Sequence, residues 1–225
     1  MTTSEKLFEE FCNQNKLPYE KIEEDNKNKL PDYLLKINNY QLIVEVTEFE
    51  LNKEEKRKLS EIRTNRAGAY GPSTERRIRD EINKKNKQIK PFVKEYNCPS
   101  ILLIYDNRQE FSDMDSDDIK YAMYGEDSHT IGVFDNSDNP PFYIGNKFGG
   151  HRQMTKDEKT NISAIGHLLF CTYEKELKIN LYHNHYATYP IEISKIIRYF
   201  PNQYIVKEPH KDSQKGWSRV KSILG

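Results

Sequence analysis

Apolar residues recur at helical spacing at the start of the chain and at alternating spacing shortly after it. The first pattern predicts a helix over residues 4–15, with Ser4 as a suitable N-cap. An extended piece and two strand-like runs follow, at 18–22, 32–37 and 40–49. The Asn38-Asn39 pair between the two runs favours a β-hairpin, because asparagine tolerates the positive φ of a type I′ turn.

A long helix and a buried strand are predicted in the middle of the chain. Ser73 or Thr74 is expected to cap a helix that runs to about Lys90, where Pro91 should end or kink it. The unbroken apolar run at 100–105 is typical of a strand buried on both faces. The basic stretch before this helix, residues 50–73, is predicted to be a helix or a mobile loop.

The second half of the chain predicts more strands and little helix. An acidic loop is expected at 106–118, and the chain should end in a short helix near 191–199 and a basic tail. The predicted strands lie at 130–134, 163–173 and 176–183, with Glu174 and Lys175 in the loop between the last two. This order of elements predicts a single α/β or α+β domain over residues 1–225, built on a mixed sheet.

Composition narrows the class of protein. The 225 residues are 36% hydrophobic and contain no apolar run near the ~20 residues of a membrane span. The charged N-terminus does not resemble a signal peptide. Three scattered cysteines exclude a disulfide framework and a zinc cluster, and they favour a reducing compartment. We expect a soluble, cytoplasmic protein with no membrane partner.

Charge is segregated along the chain although 35 basic and 35 acidic residues cancel overall. Residues 50–95 hold 14 basic and 8 acidic groups, whereas residues 105–140 hold 2 and 10. One interpretation is a basic surface for a polyanion beside an acidic surface, and the other is an ordinary solvated exterior.

The predicted hairpin pairs two carboxylates. With Asn38-Asn39 as the loop, Asp32 lies opposite Glu45, with Cβ atoms about 4.5–5.5 Å apart. Facing like charges destabilise a sheet, and a divalent cation such as Mg²⁺ or Mn²⁺ between them would reverse that cost. A different register, or two acids solvated at the sheet edge, is the alternative.

These residues resemble the motif of a known nuclease superfamily. Pro31-Asp32, followed after a hairpin by Glu45-Val46-Thr47, resembles the PD-(D/E)xK signature, with Thr47 in the motif lysine position. The order helix, hairpin, helix, buried strand also resembles that core over about residues 4–105. The resemblance implies a restriction-endonuclease-like mixed β-sheet flanked by helices, with residues 106–225 as a strand-rich extension.

The missing lysine has a candidate on the predicted long helix. Lys85 falls within its apolar stripe, and Gln88 follows one turn later; the stripe consists of Ile78, Ile82 and Ile89. Because a lysine on a core-facing stripe normally has a charged partner, Lys85 and Gln88 resemble a displaced catalytic pair. The alternative is a lysine that snorkels past a short apolar patch, and Lys36 on the hairpin is the second candidate.

The first predicted helix offers a further carboxylate. Glu5 lies about 90° from the centre of the apolar arc and leads a pattern that resembles the first helix of the superfamily. Glu9 is the reserve candidate. The alternative is a surface acid that faces the helix dipole.

The resemblance implies metal-assisted hydrolysis of a phosphodiester. Asp32, Glu45 and the Val46 carbonyl would bind Mg²⁺ or Mn²⁺, and Glu5 would assist through water. Lys85 would position the attacking water or neutralise the phosphate, and Gln88 would orient these groups. Basic residues would contact the nucleic-acid backbone: the segment 53–66 and Arg76, Arg77 and Arg79.

Two functions follow as expectations. The first is a DNA endonuclease of a bacterial defence or restriction system, acting as a homodimer or with a partner subunit; the sequence does not discriminate DNA from RNA. The second is a nuclease fold without catalysis that binds nucleic acid or a partner protein. Thr47 in the lysine position keeps the second open.

Overall fold

A computed structural model describes residues 1–23, 30–65, 74–108, 114–134, 140–171, 176–207, 209 and 216–220. Its helices are α1 (Thr3–Gln14), α2 (Lys53–Asn65), α3 (Thr74–Tyr96), α4 (Ser116–Tyr124) and α5 (Ile193–Ile196). The first five strands are β1 (Tyr19–Lys21), β2 (Tyr33–Ile37), β3 (Tyr40–Phe49), β4 (Ser100–Asp106) and β5 (Glu126–Gly132). The others are β6 (Phe142–Gly150), β7 (Ala164–Cys171), β8 (Glu176–His183), β9 (Asn202–Ile205) and β10 (Ser218–Arg219).

The centre of the molecule is a mixed sheet of eight strands in the order β1-β2-β3-β4-β7-β8-β9-β10. Strands β3, β4 and β7 run parallel to one another, and the hairpins β2–β3 and β7–β8 are antiparallel. Helices cover both faces. The predicted mixed α/β class is therefore confirmed, and no helix among the described residues is long and apolar enough to cross a membrane.

The predicted hairpin has the predicted register. Tyr33 pairs with Val44 and Ile37 with Tyr40, so Asn38 and Asn39 form the loop. Asn38 adopts a positive φ of 55°, but Asn39 is not among the described residues with positive φ. The turn therefore differs from type I′, which needs positive φ at both positions.

Helix α1 packs on one face of the sheet, as the apolar spacing predicts. Phe8, Phe11 and Cys12 are buried in one cluster with the odd-numbered residues of β2, among them Tyr33 and Leu35. The predicted N-cap was wrong, because the helix starts two residues earlier. Thr2 caps it, and Glu5 closes a capping box with the Thr2 backbone N–H.

Helix α3 covers the opposite face and provides the connection between the parallel strands β3 and β4. Its apolar side packs on Leu34 and Ile43; the buried members are Ile78, Ile82, Ile89 and Val93. The predicted end at Lys90 was wrong, because the helix continues through Pro91 to Tyr96. Burial of Ile89 and Val93 on either side offsets the hydrogen bond that proline cannot donate.

Residues after β4 extend the same sheet. Strand β7 lies directly beside β4, so the buried apolar run has parallel neighbours on both sides. The acidic loop expected at 106–118 was wrong in its second half, because Asp115 caps α4 in a capping box with Asp118. Strands β5 and β6 form a separate two-stranded sheet, of which only part of β5 was predicted.

Several predictions fall outside the described residues: Ser73 as a cap, the end of the basic stretch at 66–73, and Glu174 and Lys175 as a loop.

Candidate functional site

Asp32 and Glu45 lie side by side on the sheet face that α3 covers. Asp32 immediately precedes β2, and its Oδ2 accepts a hydrogen bond from the Val46 backbone N–H at 2.7 Å. Glu45 follows Val44, the last β3 residue that pairs with β2, and its side chain is 0% exposed. The hairpin register therefore sets the two acids opposite each other, as predicted.

Lys85 and Gln88 reach this pair from α3. The Lys85 ammonium forms an ion pair with Glu45 Oε1, and its side chain is 16% exposed. The Gln88 amide nitrogen donates to Glu45 Oε2 at 2.9 Å and also to the Leu30 carbonyl. Both oxygens of the buried glutamate therefore have partners on one helix, and the snorkelling alternative for Lys85 is excluded.

The pKa values of all three ionisable groups in the site, Asp32, Glu45 and Lys85, are raised. Burial, followed by repulsion from Asp32, raises the pKa of Glu45 to about 7 although Lys85 acts in the opposite direction. Burial also raises the pKa of Asp32, against the Val46 N–H and the Lys85 charge. Burial disfavours the charged form of Lys85, but the charges of Glu45, Asp32 and Glu81 outweigh it and raise its pKa. The site therefore disfavours two ionised carboxylates side by side near neutral pH.

Glu5 belongs to the opposite face of the sheet. Its carboxylate is engaged by the Thr2 backbone N–H and by Lys21 Nζ at 3.0 Å. Partial burial acts to raise the pKa of Glu5, but these two partners lower it below its ordinary value. Its charge contributes to the raised pKa of Asp32. Glu5 therefore acts on Asp32 through space, while its own contacts are structural.

Glu9, the reserve candidate, is also in structural contacts. It accepts a hydrogen bond from the buried Tyr33 hydroxyl at 2.8 Å and lies 3.9 Å from Lys21. Lys36, the second candidate for the lysine, forms an ion pair with Glu20 near the sheet edge and is half exposed.

Sequence reasoning missed a third carboxylate. Glu81 accepts a hydrogen bond from the Thr47 hydroxyl at 3.3 Å and forms an ion pair with Lys84 at 3.0 Å. Its charge contributes to the raised pKa of Lys85. Glu81 precedes Lys85 by four residues, a spacing that places both on one helix face, so the signal was present in the sequence.

Two of the three predicted nucleic-acid-binding arginines are tied to the protein itself. Arg77 contacts Glu55 at 3.1 Å and lies over the Phe49 ring. Arg79 forms an ion pair with Glu126 at 2.7 Å, which connects α3 to β5. Arg76 is exposed, so among the three it is the one open to a ligand.

The donor set suits a cation that takes few protein ligands. In the described part of the chain, no group of three or more His, Cys, Asp or Glu side chains is arranged to hold a metal. Mg²⁺, however, is commonly bound by one or two carboxylates, several waters and a substrate phosphate. Asp32, Glu45 and the neighbouring Val46 carbonyl fit that requirement, and a bound cation would stabilise the ionised carboxylates that burial and mutual repulsion disfavour.

Comparison with family models, with curated proteins and with solved structures finds no match to this chain.

Proposed function

We propose that the chain is a metal-dependent endonuclease of PD-(D/E)xK type with a restriction-endonuclease-like fold, acting on DNA. One observation carries the proposal: Lys85 and Gln88 converge from α3 on Glu45, directly beside Asp32. Thr47 leaves the motif without its lysine, and Lys85 supplies an ammonium group at the same carboxylates.

Each side chain of the site would have a separate role in cleavage. Asp32, Glu45 and the Val46 carbonyl would hold Mg²⁺ or Mn²⁺, which when bound stabilises charge on a phosphate and acidifies a water molecule. Lys85 stays protonated, because its pKa is raised, and neutralises a non-bridging phosphate oxygen or orients the attacking water. Gln88 holds Glu45 in one rotamer through its amide.

The substrate backbone would contact basic residues outside the buried site. Exposed lysines occur along α3 on either side of Lys85: Lys84, Lys87, Lys90 and Lys94. Arg76 is exposed near the start of the same helix. Such a row favours a polyanion through its charge alone, independent of sequence.

The alternative proposal is a nuclease fold that binds nucleic acid without cleaving it. One observation favours it: Lys85 and Gln88 satisfy both oxygens of Glu45 directly. In an inactive protein this arrangement would be a structural ion pair, and a metal would have to displace it.

Cleavage of a panel of labelled duplex DNA, single-stranded DNA and RNA with Mg²⁺, Mn²⁺ or EDTA separates the two. The nuclease proposal expects metal-dependent products that disappear in Asp32→Asn. Binding that is equal with metal and with EDTA, without products from any substrate, would favour the inactive fold.

A further inference from the structure

A pocket of about 500 Å³ opens beside the candidate site. Its floor is formed by Leu34 and Ile43, which pair with each other across β2 and β3. These two residues lie two positions along their strands from Asp32 and Glu45, on the same sheet face. Two residues of a strand span about 6.6–6.8 Å, so the pocket begins within one nucleotide's reach of the carboxylates.

Ile22, which directly follows the edge strand β1, lies between the pocket and the site. The backbone N–H of Ile22 donates to the Asp32 carbonyl at 2.9 Å, which places Ile22 beside Asp32 at the edge of the sheet. Ile22 also lines the pocket. The pocket therefore lies next to Asp32 on the sheet face that α3 covers.

Two aromatic rings of α3 also line the pocket. Phe92 and Tyr96 are one helical turn apart on α3, with ring centroids 5.9 Å apart and planes inclined by only 6°. Phe92 follows Gln88 by one turn, so the helix that contacts Glu45 also carries the rings. Tyr96 is 43% exposed, which is high for a large aromatic side chain.

The rim of the pocket is polar and holds two acidic residues and one basic residue: Glu20, Glu23 and Lys21. An apolar slot with a polar rim suits a planar ring whose edge carries hydrogen-bonding groups. A nucleobase has this chemistry, and base–aromatic stacking tolerates any sequence because every base has a π-face.

We infer that this pocket holds one unstacked nucleobase of the substrate, packed against the Phe92 and Tyr96 rings above the buried Leu34–Ile43 pair. The inference rests on the proposed function and extends it to the class of substrate. A base enters such a pocket from a single strand, or from a duplex only after leaving the stack. The preferred substrate is therefore single-stranded, flapped or locally opened nucleic acid.

The test uses a single-stranded DNA that carries one 2-aminopurine, titrated with the full-length protein in EDTA so that no cleavage is needed. Stacking on an aromatic ring should quench the bound fluorophore. Phe92→Leu and Tyr96→Leu should each lose most of the quenching and weaken binding about tenfold, because they remove the π-face while keeping apolar volume. The matched control is Tyr143→Leu, which removes an exposed tyrosine on β6 and should change neither property.

A second arm replaces the 2-aminopurine with an abasic site. Wild-type affinity should then fall to that of Tyr96→Leu, and Tyr96→Leu should lose no more. The inference is overturned if the wild-type protein does not bind the strand, or if quenching survives both pocket variants. Quenching without metal-dependent cleavage of any substrate would instead overturn the nuclease proposal and leave the base pocket standing.

Discussion

At the scale of single residues, the most unusual feature is a lysine on the core-facing side of α3. Lys85 is mostly buried and pairs with a fully buried glutamate, whereas its neighbour Lys84 is 62% exposed and pairs with Glu81. Removing one partner of a buried ion pair leaves an uncompensated charge, so Lys85 and Glu45 must be considered together.

The displaced lysine leads to a rescue experiment. Thr47 is on the carboxylate side of β3 and contacts Glu81, so a lysine there would extend toward the groups that surround Lys85. We expect Lys85→Ala to abolish cleavage and the double variant Lys85→Ala/Thr47→Lys to regain a measurable part of it. Single-turnover rates on one labelled substrate provide the measurement.

Thr47→Met in the Lys85→Ala background is the matched control, since methionine is a long side chain without charge. Equal rates for the methionine and lysine variants would show that the two positions are not interchangeable.

The raised pKa of Glu45 predicts a pH dependence of stability. A carboxyl with an ordinary pKa of 4.5 and a folded pKa of about 7 favours the folded state most when both states are protonated. Its contribution is complete below about pH 4.5 and is lost as the pH rises to about 7. Urea unfolding of wild type and Glu45→Gln at pH 4, 5, 6, 7 and 8 measures this effect.

We expect the free energy of unfolding of Glu45→Gln to lack most of the decline that the wild type shows between pH 5 and pH 7. Parallel curves for the two proteins would mean that Glu45 titrates normally. Mg²⁺ should restore wild-type stability at pH 8, by about 2.7 kcal/mol at a hundredfold excess over its Kd, and should have little effect on Glu45→Gln.

The site itself was largely predictable at this scale, and the exceptions have physical reasons. Hairpin register follows from a two-residue loop, so the Asp32–Glu45 pairing could be derived from spacing alone. Lys85 was identifiable because a charge interrupts an apolar stripe. The partners of Arg77 and Arg79, Glu55 and Glu126, lie 22 and 47 residues away, and no local pattern reports such contacts.

At the scale of elements, helix α3 contributes both to the core and to the candidate site. It packs Ile78, Ile82, Ile89 and Val93 on the sheet and also carries Lys85, Gln88 and the pocket rings. Its passage through Pro91 was not predictable from propensity, because tertiary burial on both sides of the proline decides the outcome. The early start of α1 depends on a capping box that the apolar spacing does not reveal.

Pro91 therefore predicts a stabilising substitution. Alanine would restore the N–H that proline lacks and remove its ring, which clashes with the preceding turn, in a helix interior where proline costs about 3 kcal/mol. We expect Pro91→Ala, at an exposed position, to raise the free energy of unfolding by about 1–3 kcal/mol. Urea denaturation gives the value, and a decrease would show that Pro91 fits a real kink. Lys90→Ala, at the exposed position next to it, serves as the control.

At the scale of the whole molecule, the residues after β4 complete the sheet. The resemblance concerned about residues 4–105, yet β7 lies against the central strand β4 and β8 extends the sheet beyond it. The sequence predicted these two strands but not their place in the order, since pairing between distant segments leaves no local pattern.

A substitution at Gly166 on β7 probes how closely β7 packs against β4 and β8. A Cβ added there would lie 2.7 Å from a Leu103 methyl group on β4 and 3.3 Å from Leu181 on β8. We expect Gly166→Ala to lower the free energy of unfolding by about 1–3 kcal/mol through overpacking. Gly145→Ala on β6 is the control, because its added Cβ would meet nothing within 4 Å. Equal thermal unfolding of both variants would mean that β7 is not packed against β4 as described.

The central claim is that Asp32 and Lys85 serve one metal-dependent cleavage site. The most direct test is a double-mutant cycle of single-turnover cleavage in Mg²⁺, with Asp32→Asn, Lys85→Ala, the double variant, and Lys195→Ala, an exposed lysine on α5, as the surface control. We expect each site variant to lose at least about a hundredfold in rate. The double variant should lose little more than either single variant, because groups that act as a unit are not additive. Full activity in Asp32→Asn, or cleavage that persists in EDTA, would contradict the claim.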